Sequence, residues 1–166
     1  SVVSEQLMAL AQAVDSATVR AHALVACGQA DVVAGRLGAA RAHLDEALSL
    51  CRKERHDALL PLLSCTRADV SLITADFAAA EQDASVALCA SFELNGVGRA
   101  LASRGLARGK LGRVAEALAD FHEVERIFEQ SGRANPYTWR GGWLHRELGD
   151  GEGAVRRSMS SASTWR

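Results

Sequence analysis

Small and apolar residues recur along this chain at a regular interval. Four pairs, each a glycine or alanine with an alanine twelve residues later, recur at similar intervals, namely Gly28 and Ala40, Ala68 and Ala80, Gly105 and Ala117, and Gly142 and Ala154. The four alanines lie 40, 37 and 37 residues apart. Repetition at about 20–50 residues is typical of stacked supersecondary units, and paired small residues let two helices cross closely. The pattern therefore predicts an all-α chain of stacked helical hairpins.

The apolar spacing places four hairpins after a single first helix. We expect the hairpins at about residues 18–54, 55–94, 95–132 and 133–166. Their paired helices are predicted at about 18–34 and 37–52, 58–74 and 77–91, 96–110 and 114–130, and 136–147 and 151–164. Within residues 1–17, Leu7, Leu10 and Val14 share one face of a helix, which is either the second half of an incomplete repeat or an N-terminal cap. About nine helices result.

The third hairpin carries the repeated pattern most completely. It has Gly105 on its first helix, Gly112 at its turn, Ala117 on its second helix and Phe121 one turn later. In these residues it resembles the tetratricopeptide repeat, whose usual period is about 34 residues. The resemblance covers about residues 18–164. It implies a right-handed superhelical solenoid of antiparallel hairpins, in which the first helix of each hairpin lines a concave face.

The resemblance also implies which positions face inward. One such position is occupied by Val25, Cys65, Ala102 and Trp139 in the four hairpins. The candidate partner-binding residues on the concave face are His22 and Gln29 in the first hairpin, Asp69 in the second, Arg99 in the third, and Trp139, Trp143 and Arg146 in the fourth.

The last three of these residues form the most distinctive set. Trp139 and Trp143 are four residues apart, so they lie on one helix face, and Arg146 extends the same stripe. Tryptophan and arginine are enriched in binding hot spots, which predicts a patch that anchors a partner. The alternative is that the stripe packs on the neighbouring hairpin or caps the open end of the stack.

The composition fits a closely packed helical chain. Apolar residues make up 48% of the sequence and aromatic residues only 5%, so the core must consist mainly of alanine, leucine and valine. No run reaches the roughly 18–20 apolar residues that span a bilayer, and we expect no membrane association. Cysteine occurs at four positions without C-x-x-C spacing, namely Cys27, Cys51, Cys65 and Cys89. We expect all four to be reduced and at least three to be buried, in a cytoplasmic protein.

Charge and motifs narrow the function class. Residues 1–98 carry 7 basic and 12 acidic side chains, whereas residues 99–166 carry 12 and 8. Acidic residues interrupt the basic excess of the second part, so we do not expect nucleic-acid binding through this segment. The sequence has no phosphate loop, no clustered metal ligands and no nucleophile elbow. We therefore expect neither catalysis nor a metal or cofactor.

Two functions remain. The chain starts within a repeat and without methionine, so we expect it to belong to a longer protein. Its alanine-, leucine- and arginine-rich repeats resemble those of large bacterial LuxR-type and antibiotic-regulatory-type activators and of other signalling NTPases. That resemblance implies an interaction or sensor segment of a regulatory protein, which binds a protein or peptide partner or a small-molecule inducer. The alternative is a free-standing adaptor that holds two proteins together.

Overall fold

The structure, a computed structural model, describes residues 6, 9 and 16–147. Residues 16–147 form seven α-helices and no strand. The helices are α1 (Ala17–Val33), α2 (Leu37–Glu54), α3 (Leu60–Ile73), α4 (Phe77–Ala90), α5 (Leu94–Lys110), α6 (Val114–Ser131) and α7 (Thr138–Glu147), with a short 3-10 segment at Asp57–Leu59 before α3. The predicted all-α class is thereby confirmed for the described residues, and the predicted ends of these seven helices lie within two residues of the observed ones.

Two predicted helices fall outside this description. The helix expected at about 151–164 lies entirely outside the described residues. The helix expected within residues 1–17 is represented only by Gln6 and Ala9, which are both helical. The count of nine helices therefore stays a prediction.

The first six helices pair as three hairpins, α1 with α2, α3 with α4, and α5 with α6. Three residues separate the helices of each pair, so the chain reverses sharply and the paired helices are antiparallel. Gly35 and Gly112 take positive φ angles of 73° and 79° in these turns, and Ala75 takes φ 60° at the equivalent place. Because a side chain disfavours this left-handed conformation, the turn at Ala75 is strained.

The small residues lie where the two helices of a hairpin cross. A Cβ atom added to Gly28 would lie 2.8 Å from Leu44 Cγ, and one added to Gly105 would lie 3.1 Å from the Phe121 ring. A side chain at Gly28 would therefore force Leu44 to move, and one at Gly105 would press on the Phe121 ring. The partner alanines on the second helices, Ala40, Ala80 and Ala117, are completely buried. The crossing predicted from the twelve-residue spacing is confirmed at Gly28 and Gly105. In the second hairpin, Ala68 and Ala80 are likewise completely buried.

Each hairpin packs both of its helices against the first helix of the next. α3 contacts α5, α5 contacts α7, and the second helices α2 and α4 pack against α3 and α5. The core between the first and second hairpins includes Leu24, Leu44 and Leu63, and the core of the third includes Phe121 and Phe128. As a result, α3, α5 and α7 lie side by side. This row of first helices carries the candidate site.

The cysteines take the expected positions. Cys27, Cys51 and Cys65 are buried, Cys89 is exposed, and all four are free. The prediction that at least three are buried is confirmed. Burial raises the pKa of Cys65 to about 11, which keeps its thiol protonated near neutral pH. Within the described residues, no helix is long and apolar enough to cross a membrane.

Candidate partner-binding face

The first helices of the four hairpins differ in exposure at one equivalent position. Val25, Cys65 and Ala102 are 2%, 2% and 0% exposed, so the expectation that they line an open face is wrong. Neighbouring first helices pack over this position, as Ala100 of α5 packs on Cys65. Trp139 occupies the same position on α7 and is 63% exposed. Among the four residues at this position, the tryptophan alone is open to solvent.

Asp69 on α3 is the centre of a polar cluster that joins three first helices. Arg99 of α5 donates to Asp69 Oδ2 from Nε at 3.2 Å and from Nη2 at 2.7 Å. Ser103 of α5 donates to Oδ1 at 3.2 Å. Arg140 of α7 donates from Nη2 to Asp69 Oδ1 at 3.1 Å and from Nη1 to Ser103 Oγ at 2.5 Å. We call these four residues the Asp69 cluster.

The Asp69 cluster contains more positive than negative charge. Arginine stays protonated in proteins, so two guanidinium groups face one carboxylate. Burial lowers the pKa of Arg99, but the attraction of Asp69 outweighs this effect and holds that pKa above its ordinary value. The side chains of Arg99 and Arg140 are 26% and 11% exposed. Salt therefore screens their charges less than it screens charges on an open surface.

Arg140 is a residue of this face that the sequence analysis missed. It follows Trp139 directly, and its guanidinium carbon lies 5.2 Å from the centroid of the tryptophan ring, within the range of a cation–π contact. Its Nε is buried without a hydrogen-bond partner among the described residues. The sequence distance to Asp69 is 71 residues, so no local spacing could have paired the two. The only indication in the sequence was an arginine beside a candidate hot-spot tryptophan.

An apolar groove runs beside the Asp69 cluster. It has a volume of about 180 Å³ and is lined by Leu72, Phe77, Leu106, Lys110 and Trp139. These residues come from α3, α4, α5 and α7, so the groove exists only when the hairpins stack. Leu72 follows Asp69 by three residues, and Leu106 follows Ser103 by three. On both helices, less than one helical turn therefore separates the groove from the cluster.

The remaining predicted site residues are neither in the Asp69 cluster nor in the lining of the groove. Arg146 is exposed on the last turn of α7. The backbone of Trp143 is helical, and its side chain lies outside the description. On α1 of the first hairpin, His22 is exposed and Gln29 is half-buried. The predicted patch of two tryptophans therefore stays a prediction for Trp143, whereas exposure is observed for Trp139.

This face has the chemistry of molecular recognition, with an exposed aromatic ring, an apolar groove and a pair of partly buried arginines. Within residues 16–147, no group of three or more histidine, cysteine, aspartate or glutamate side chains could hold a metal ion. Comparison with known protein families, curated proteins and solved structures finds no match to this chain. The functional assignment therefore rests on the contacts of the face itself.

Proposed function

We propose that this chain is a protein-binding module of the tetratricopeptide type, arranged as a right-handed superhelical solenoid of about nine helices. Three hairpins share the same turn length, and their first helices contact one another. The first and third also share a close crossing at a glycine. Repetition of one packed unit in this way is the property that defines a solenoid. The module recognises a partner rather than catalysing a reaction. Its four free cysteines favour a reducing cytoplasm.

The observation that carries the proposal is the groove beside an exposed tryptophan. Trp139 is 63% exposed, whereas the residues at the equivalent position of the three earlier first helices are buried. Its ring forms one wall of a groove that three successive first helices build together. Tryptophan and arginine contribute most to binding energy when they lie at the centre of an interface. Trp139 and Arg140 provide both side chains at one place.

We propose further that the module is the sensing or docking segment of a larger bacterial regulator, as the resemblance of its repeats implies. Each unit of a solenoid contacts only its neighbours, so the array can bend along its length. A partner that touches α3, α5 and α7 together would favour one curvature. Binding of this partner would shift the population toward that curvature, and so move one end of the array relative to the other. The size of the shift is set by how much more tightly the partner binds the favoured curvature. A free-standing adaptor would bind its partners without this coupling.

Capture of a partner from a bacterial lysate tests the binding function. The wild-type chain is compared with Trp139→Ala and with Val86→Ala, which shortens a 44% exposed side chain of α4 that is not part of the groove lining. We expect Trp139→Ala to weaken binding of the captured protein by about 2 kcal/mol or more, as for a hot-spot residue. The unfolding midpoint should not change, and Val86→Ala should retain capture.

A different result for Trp139→Ala would contradict the proposal. If Trp139→Ala lowers the unfolding midpoint but leaves capture intact, then Trp139 is a packing residue. In that case the groove is not the binding site, and the second interpretation of the tryptophan stripe, as packing or a cap, is correct.

A further inference from the structure

The size of the groove limits what can occupy it. Its volume of about 180 Å³ is below the roughly 300–1,000 Å³ of sites that enclose a drug-sized molecule. Its lining is apolar except for Lys110. A space of this size and character suits one large apolar side chain of a protein partner better than a small-molecule inducer.

The charge beside the groove limits what can accompany that side chain. Arg99 and Arg140 together exceed Asp69 by one positive charge, and their partial burial preserves the field of that charge. Arg146 lies exposed on the same helix as Trp139, seven residues further on, and therefore on the same helix face. A basic group of a partner would meet like charges here, whereas a carboxylate would meet opposite ones.

We propose, on the basis of the binding function above, that the groove receives a partner segment with one large apolar side chain and a carboxylate within about one helical turn of it. The apolar side chain lies between Leu72, Leu106 and Trp139. The carboxylate faces Arg146, which is exposed on the same face of α7 as Trp139. The excess positive charge of the Asp69 cluster adds to the attraction. Arg140 remains bonded to Asp69 and Ser103, and it holds Trp139 in place through the contact with its ring.

Selection from a random peptide library displayed on phage tests this proposal. Peptides are selected on the wild-type chain, and those that also bind Trp139→Ala are discarded. We expect the remaining peptides to share one large apolar residue with aspartate or glutamate within about four positions of it. For a synthetic copy of a selected peptide, replacing that acid by its amide should weaken binding about tenfold. Added salt should weaken the parent peptide more than its amide analogue.

A pair of variants then locates the charge on the protein. Arg146→Gln should weaken the acidic peptide and leave its amide analogue unaffected. Arg126→Gln is the matched control, because Arg126 is an exposed arginine that pairs with Glu123 on α6. It should leave both peptides unaffected.

The possible failures are distinguishable. Trp139-dependent peptides without an acidic preference would overturn the inference about charge and leave the binding function in place. A library that yields no Trp139-dependent peptide would overturn the inference as a whole. The lysate experiment decides separately whether the chain binds a protein through this face.

Discussion

In the first and third hairpins, a polar pair joins the two helices at equivalent positions, with the acidic and the basic side chain exchanged between the helices. In the first hairpin, Asp31 on α1 lies 2.9 Å from His43 on α2, measured from Oδ2 to Nδ1. In the third, Arg108 on α5 donates to Asp120 on α6 at 2.9 Å. Both pairs are twelve residues apart, and each member follows a small residue of the helix crossing by three positions. The small residues fix the crossing, whereas the acidic member of the neighbouring pair can lie on either the first or the second helix.

The two bridges differ in how completely they are removed from water. Asp120 is bonded by Arg104 and Arg108, whose side chains are only 19% and 17% exposed. Asp31 is bonded by Arg36 and His43, which are 46% and 30% exposed. Burial raises the pKa of Asp31, but the hydrogen bonds from Arg36 and His43 outweigh it and leave that pKa below its ordinary value. The third hairpin should therefore depend more on its carboxylate than the first.

The largest effect is expected from removing that carboxylate. Asp120→Ala leaves the partly buried guanidinium group of Arg104 without its carboxylate, and it leaves Arg108 with Glu81 as its remaining close partner. We expect a loss of about 3 kcal/mol in the free energy of unfolding. Asp31→Ala should lose less, because water can solvate Arg36 and His43. Urea unfolding of the two variants measures the difference. Asp45→Ala, which removes a 51% exposed carboxylate, is the control and should lose about 1 kcal/mol or less. Equal losses at Asp31 and Asp120 would contradict the comparison.

An intermediate effect is expected at the helix crossing, which the two hairpins share. Gly28→Leu and Gly105→Leu both force a side chain into a filled space, and each should lose about 1–3 kcal/mol. Because the crossing is the same, the two losses should be similar. Gly38→Ala is the control, since a Cβ atom there has no neighbour within 4 Å. Thermal or urea unfolding gives the values, and two harmless leucine substitutions would show that the register of the repeat is wrong.

The smallest effect concerns the second hairpin, whose turn departs from the other two. Ala75 has φ 60°, where the first and third hairpins have Gly35 and Gly112. Ala75→Gly should relieve the left-handed strain and raise the free energy of unfolding by about 0.5–1 kcal/mol, after the greater flexibility of glycine in the unfolded chain is subtracted. Gly112→Ala should do the reverse. A loss of stability in Ala75→Gly would mean that the three turns are not equivalent.

Much of the fold could be predicted from local spacing alone. The pairing of Gly28 with Ala40 and of Gly105 with Ala117 was sufficient to position both helices of a hairpin and the turn between them. This works because helix formation depends on near neighbours, and because a short turn joining two amphipathic helices leaves them little choice but to pack together. The burial of Cys27 and Cys51 followed from the same periodicity, since both lie on an apolar helix face.

The candidate site was predicted only in part. The resemblance to the tetratricopeptide repeat placed Trp139, Asp69 and Arg99 among the inward positions, where an aromatic or charged residue can be recognised from the sequence. It placed Cys65 and its equivalents on the same open face, which the structure contradicts. The error has a simple cause, since helical periodicity gives the direction of a side chain but not the distance to the next hairpin.

The sequence by itself determined the helices, their hairpin pairing and the close crossings, all of which depend on residues fewer than about twenty positions apart. Only the tertiary structure decided that Arg140 reaches Asp69 across 71 residues, and that Leu72, Leu106 and Trp139 line one groove. The physical reason is that these contacts depend on the angle and spacing between successive hairpins. Those quantities arise from the packing of many side chains together and are not encoded in the period of any one segment.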